Sequence, residues 1–237
     1  MRIDKFLANM GFGSRKEVKP LLKSGAVQVN GSVLKDPKSH VDPESDQITV
    51  NGEPVRYVEF IYVLMNKPPG VVSATEDNRD RTVVDLLGPE ERNFKPFPVG
   101  RLDKDTEGLL LLTNDGQLAH ELLSPKKHVD KTYFARIDGE VTAGDGEAFS
   151  EGVMLEDGYV TKPAILRILK SDSISEVELT ITEGKFHQVK RMFRSRGKEV
   201  IYLKRLSMGT LALDPALGIG KFRHLTEDEL QRLKQTE

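Results

Sequence analysis

Phe97-Pro98-Val99-Gly100-Arg101-Leu102-Asp103-Lys104-Asp105-Thr106-Glu107-Gly108 runs directly into Leu109-Leu110-Leu111-Leu112-Thr113-Asn114-Asp115-Gly116. The first half sets charges of both signs on a glycine-bounded loop, and the second is an apolar run long enough for a buried strand. A strand fixed in a core would hold such a loop rigid. Reactive carboxylates are often presented this way, because the scaffold sets their position while neighbouring cations keep them ionised. Asp103, flanked by Arg101 and Lys104, fits that description. Composition alone favours the plainer reading, in which Asp103 and Asp105 are turn formers on a wet surface.

Outward from this stretch, the chain has 237 residues, enough for one ordinary core or two smaller ones, and 30% of them are charged. No apolar run approaches membrane-spanning length, and Met1-Arg2-Ile3-Asp4-Lys5-Phe6 has the wrong charges for a signal peptide. A cytoplasmic location and no membrane partner are the resulting expectations. The absence of cysteine excludes disulfides and thiolate nucleophiles, and the five histidines lack ligand spacing, so no metal is expected. A net charge of -2 does not announce a nucleic-acid binder, so any such function rests on how the charge is distributed. Arg2, Lys5, Arg15, Lys16, Lys19 and Lys23 crowd the first helical region. Lys185, Lys190, Arg191, Arg194, Arg196, Lys198, Lys204 and Arg205 crowd a later one, while acids gather over residues 140–157 and in the C-terminal tail. Either basic run alone reads more simply as a solvated helix face.

Periodicity supplies the elements. Ile3, Phe6, Leu7 and Met10 define a short helix stopped by Gly11, and Ser14-Arg15-Lys16-Glu17 has the form of a capping box for a second helix ending at Gly25. Pro20 falls inside that helix, where a kink or loose turn is expected. Asn30-Gly31 predicts a tight hairpin turn, and Asn51-Gly52 echoes it as a second turn. A domain boundary is placed between residues 58 and 59. Residues 59–65 read as a buried strand ended by Asn66-Lys67-Pro68-Pro69-Gly70, residues 82–87 as a short helix, and residues 117–123 as a helix stopped at Ser124-Pro125. Residues 131–137, 164–169 and 175–181 read as strands, and the acidic stretch between the first two as a helix and turn without chemistry. From the glycine turn at Gly184, a helix buries Val189, Met192 and Phe193, leaving a basic opposite face. Thr226-Glu227-Asp228-Glu229 caps a C-terminal helix through Leu230 and Leu233. The fold class expected is α+β.

The wording Gly100-Arg101-Leu102-Asp103-Lys104-Asp105-Thr106, with Gly108 and the leucine run, resembles the catalytic-aspartate motif of the RNA pseudouridine synthases, in the ribosomal-RNA branch of the small-subunit (RsuA) type. The two basic helices and the Val27-Gln28-Val29-Asn30-Gly31 hairpin resemble the RNA-binding domain first seen in ribosomal protein S-four, which precedes the catalytic domain in that branch. Asn66-Lys67-Pro68-Pro69-Gly70-Val71-Val72 resembles the opening strand of the catalytic domain. Lys131-Thr132-Tyr133, the segment from Glu183 to Phe193 and Leu203-Lys204-Arg205-Leu206-Ser207-Met208-Gly209 resemble later family segments, in the family's order.

The resemblance implies an S-four-like domain over residues 1–58. Residues 59–237 would form a pseudouridine synthase domain, a mixed and mainly antiparallel sheet flanked by helices. It implies that Asp103 is nucleophile or base, that the Tyr133 ring lies against the target base, and that Lys190 or the adjacent Arg191 pairs with Asp103. Arg101 would fill the gap left by an extruded uridine. His187 reads as orienting the turn. The RNA contacts implied are Arg2, Lys5, Arg15, Lys16, Lys19, Lys23, Lys67, Lys185 and Arg194, with Lys67 more readily structural. Neither metal nor cofactor is required. The partner is ribosomal RNA or a pre-ribosomal particle, and the protein is expected to act as a monomer. Glu107 departs from the small hydroxyl residue of many relatives. The rival readings are a catalytically idle RNA-binding or ribosome-assembly protein and, more weakly, a hydrolase using Asp103 and Asp105.

Overall fold

The computed structural model describes residues 1–124 and 126–235, which fall into two compact units: Met1–Ile61 with Gly88–Pro96, and Tyr62–Leu87 with Phe97–Glu237. In the first unit, α1 (Ile3–Asn9) buries Ile3, Phe6 and Leu7, and α2 (Val18–Lys23) buries Val18 and Leu22. The Ser14 and Glu17 hydrogen bonds of the capping box are present, but residues 15–17 form only a turn before the regular helix. Pro20 has no N–H to carry the ladder from that turn into the helix, so α2 is shorter than the sequence suggests. The strands are β1 (Val27–Val29), β2 (Ser32–Val33), β3 (Ile48–Val50) and β4 (Glu53–Pro54), in the order β2-β1-β3-β4. Both tight turns use positive φ, 51° at Asn30 and 53° at Asn51, each followed by a positive-φ glycine, which is the two-residue hairpin geometry.

The second unit opens with β5 (Tyr62–Lys67), buried along its whole length; residues 59–61, read as strand from their composition, precede it. A 3-10 turn over Val84–Leu86 follows. The chain then returns to the first unit for α3 (Pro89–Asn93), where the Asn93 amide stands 2.5 Å from the place a Cβ would occupy on Gly11. This grouping corrects the single boundary between residues 58 and 59, because a short segment without its own apolar periodicity takes its place from long-range contacts.

Back in the second unit come β6 (Phe97–Pro98), β7 (Glu107–Thr113), α4 (Gly116–Leu123), β8 (Lys131–Asp138), α5 (Ala143–Glu151), β9 (Ile165–Lys170), β10 (Ile174–Ile181), α6 (Gln188–Arg194), β11 (Glu199–Met208), β12 (Leu211–Ala212), β13 (Phe222–His224) and α7 (Glu227–Lys234). Pro125, the predicted stop for α4, lies outside the described residues. The main sheet runs β13-β5-β7-β11-β8-β10-β9, antiparallel at each pairing except β7 with β11. That parallel contact is close: a Cβ on Gly108, at φ 102°, would meet the Arg205 carbonyl oxygen at 2.3 Å. Only glycine fits there. On β8, Lys131, Tyr133, Ala135 and Ile137 are buried while Phe134 and Arg136 turn outward, the period-two pattern of a one-face core strand. α5 carries a capping box between Thr142 and Asp145. The buried Asp145 carboxylate takes Arg196 and Lys198 as ion partners. Among the described residues, no helix is long and apolar enough to cross a membrane.

Candidate active site

The loop between β6 and β7 is held from beneath by a buried ammonium. Lys67, the last residue of β5, is fully buried. Its Nζ donates to the main-chain oxygens of Pro68 at 3.0 Å, Asp103 at 3.1 Å, Lys104 at 3.3 Å and Thr106 at 2.8 Å. Burial pushes its pKa down to about 8, against the pull of the Asp105, Asp103 and Glu107 carboxylates. The Lys67 ammonium is thus turned inward to main-chain oxygens, the structural of the two roles its position suggests, and not outward as an RNA contact would be. Ser73 adds a second tether, its Oγ accepting from Leu102 N at 3.0 Å and donating to Leu102 O at 2.9 Å.

On this fixed loop the Asp103 side chain is 24% exposed, and α6 supplies its neighbours. Lys190 Nζ lies 3.3 Å from Asp103 Oδ2 and donates to Asp105 Oδ1 at 2.6 Å and Oδ2 at 2.8 Å. One ammonium thus bridges two carboxylates. Burial opposes the Lys190 charge, but its hydrogen bonds to Asp105 and Asp103 outweigh this and hold its pKa above the ordinary lysine value. Burial likewise opposes ionisation of Asp105, and Lys190 outweighs it. His187, at the N-cap of α6 with φ 49°, brings Nε2 to 3.5 Å from Asp103 Oδ1. The turn that carries it is pinned by Gln188, whose side chain accepts from Lys185 N at 2.9 Å and donates to Glu183 Oε1 at 2.8 Å.

Arg191 does not reach Asp103. Its guanidinium is ion-paired with Glu156 at 2.7 Å and Asp157 at 2.5 Å. Successive helical residues point about 100° apart, so Lys190 faces Asp103 while Arg191 faces Glu156 and Asp157. This corrects the pairing of Arg191 with the aspartate.

Asp103, Arg101, Tyr133, Thr106, His187 and Leu203 line one cleft in the second unit. Tyr133 is 7% exposed and lies opposite Arg205 of β11 and Leu179 of β10. Lys185 also lines the cleft, and its ammonium sits 4.6 Å from the centroid of the Tyr159 ring. Arg194 is exposed and pairs with Glu199 at 3.1 Å.

In the first unit, Lys5, Lys16, Lys19 and Lys23 are exposed. Arg15 is exposed as well, and both it and the half-buried Arg2 pair with the buried Asp4, at 3.2 and 2.7 Å. Burial raises the pKa of Asp4, but its hydrogen bonds to the two arginines prevail and lower it.

The sequence reading missed the Lys67 cradle, the Asp105 half of the Lys190 bridge and the Asp103 partner of His187. The signals were present: a lysine closing an otherwise apolar strand, two acids two residues apart, and a histidine just after a glycine turn.

A buried-strand loop presenting one carboxylate between a lysine and a histidine, beside a buried tyrosine, defines an enzyme site built for charge without an evident ligand set. Comparison with known proteins gives the class. Residues 61–195 match the family model of RNA pseudouridylate synthase, and residues 1–48 match the S4 domain. The chain is 61% identical over 236 residues to the RNA pseudouridine synthase YtzG of Bacillus subtilis, covering 99% of each. It is 42% identical to ribosomal large subunit pseudouridine synthase B of the same organism, covering 98% of this chain and 95% of that one. To ribosomal small subunit pseudouridine synthase A of Vibrio cholerae it is 41% identical, covering 97% and 98%. A crystal structure of a pseudouridylate synthase superposes with a TM-score of 0.69 at 36% identity, covering 98% of this chain and 99% of that one. The chain belongs to the RNA pseudouridine synthase family. Its activity is the isomerisation of uridine to pseudouridine in RNA.

Proposed function

We propose that the substrate is a specific uridine of ribosomal RNA, in the 16S RNA of the small subunit, and that Asp103 carries the reaction. The observation that supports Asp103 most strongly is its placement: a partly buried carboxylate on a loop pinned by Lys67, 3.3 Å from Lys190 and 3.5 Å from His187, in the cleft that Tyr133 lines. The N1–C1′ bond of the uridine breaks, uracil turns, a C5–C1′ bond forms, the C5 hydrogen leaves to solvent and N1 gains a proton. No net redox change or hydrolysis occurs. Asp103 acts as nucleophile or base, and Lys190 sets a cation 3.3 Å from it to offset the loss of water as the cleft closes around the base. A uridine within structured RNA must leave the stack to reach this carboxylate. Tyr133 packs on the extruded base and Arg101, exposed at the same cleft, fills the vacancy.

Ribosomal RNA is supported by the two relatives whose names specify it. The two are matched about equally, at 41% identity for the small-subunit enzyme and 42% for the large-subunit one, so the choice of the small subunit is our reading and rests on the mapping experiment. Mapping pseudouridine in 16S and 23S RNA from cells with and without the gene tests this. Loss of one site from 16S RNA is the expected result, and loss from 23S RNA overturns the subunit assignment.

A further inference from the structure

We infer that Phe186 is a stacking platform for a base flanking the extruded uridine. The inference rests on the reading of the Asp103 cleft as the uridine site. Phe186 is 71% exposed, the most exposed phenylalanine among the described residues; Phe60 and Phe12 follow at 40% and 38%. It is not a loose loop residue. Its ring lies on the His187 imidazole with centroids 3.7 Å apart and planes 20° from parallel. His187 is itself 3.5 Å from Asp103, so the aromatic pair is joined directly to the carboxylate. The main chain is fixed as well, because Arg191 Nη1 donates to Phe186 O at 3.3 Å and Lys185 N donates to the Gln188 side chain at 2.9 Å.

A rigid aromatic ring held in water has one face covered by His187 and the other available. Its chain neighbours Lys185 and His187 both line the cleft, so the ring is carried by the turn that borders the uridine site. Lys185 and the exposed Arg101 set two cations on the lining of that cleft, beside the Asp103 carboxylate. Cations beside an exposed aromatic ring suit single-stranded RNA, where the phosphates meet the charge and unstacked bases meet the ring. Extrusion of one base supplies such a partner, because its neighbours lose a stacking surface at that moment. Stacking tolerates any base, so this subsite adds affinity and register without reading sequence.

The test uses the full-length enzyme and 16S and 23S transcripts carrying [5-³H]uridine, with tritium release as the readout. On the transcript that the wild type turns over, Phe186→Ala should lower kcat/KM roughly 5- to 150-fold, mainly through KM, as loss of one base–aromatic stack implies. Phe186→Trp and Phe186→Tyr should stay within about threefold of wild type. In a short RNA spanning the modified site, an abasic residue beside the target uridine should weaken the wild type by a similar factor and add nothing to the loss in Phe186→Ala, since both changes remove the same contact. Wild-type kcat/KM in Phe186→Ala on naked transcripts, or additive losses in that cycle, overturns the stacking site. Either result leaves the Asp103 chemistry standing, because that is read separately from Asp103→Asn. A defect of Phe186→Ala confined to ribosomal particles would place a protein on the ring and also overturn it.

Discussion

The Lys67 ammonium lies 3.1 Å from the main-chain oxygen of Asp103, so the lysine closing β5 holds the Asp103 peptide on the loop that leads into β7. Three more carbonyl groups of the same region share that ammonium. The buried cation thus organises the loop's backbone, while the exposed end of the loop is left to Lys190 and His187. Position and charge are set by different residues.

Lys67→Met should therefore damage both fold and rate. Its four carbonyl acceptors lose their donor, at least one of them deep in the core, and the expected loss in denaturant unfolding is about 2–4 kcal/mol. Turnover per folded molecule should fall by about 100-fold, because a reactive group displaced by about 1 Å loses its alignment. A stable variant with full turnover would show that the cradle does not position Asp103.

Lys190 and Arg191 are adjacent in sequence and should behave differently. Lys190→Met removes the cation 3.3 Å from Asp103, and kcat should fall by about 100-fold or more. Arg191→Met breaks pairs with Glu156 and Asp157, both more than half exposed, and should leave kcat within about threefold. Steady-state kinetics on the same labelled transcript compares them directly.

This contrast also marks where the sequence stops being informative. The run of leucines after Gly108 and the alternation over residues 131–137 reveal which strand is fully buried and which face of β8 carries Tyr133. The motifs locate Asp103, Tyr133 and Lys190. The direction of Arg191 depends on where α6 begins, and that is set by the left-handed backbone at His187, a conformation histidine tolerates but does not by itself specify. The role of Lys67 depends on residues more than thirty positions away, and those long-range contacts leave no local period. The same is true of residues 88–96, whose grouping with the first unit is written in contacts and not in composition.

Acid should weaken the C-terminal helix through one pair. Glu229 accepts from Arg223 Nη1 at 2.7 Å and Nη2 at 2.8 Å, and from Thr226 N at 2.8 Å. The Arg223 hydrogen bond is the main cause that lowers its pKa from 4.5 to about 2. Because the folded value is the lower one, the stabilisation is complete above about pH 4.5 and disappears as pH falls towards about 2. Across that window the wild type should lose about 2 kcal/mol more stability than Glu229→Gln, a figure already reduced for the pair's partial exposure. Parallel unfolding curves for both proteins at each pH would settle it, and equal losses would remove the pair from the acid response.

The most direct measurement concerns the carboxylate itself. Asp103→Asn keeps the side chain's size and the main-chain contacts to Lys67 and removes only the charge facing Lys190 and His187. Tritium release from [5-³H]uridine-labelled ribosomal RNA should fall to background in this variant, with folding and RNA affinity close to wild type. Release at the wild-type rate would contradict the assignment of the chemistry to Asp103.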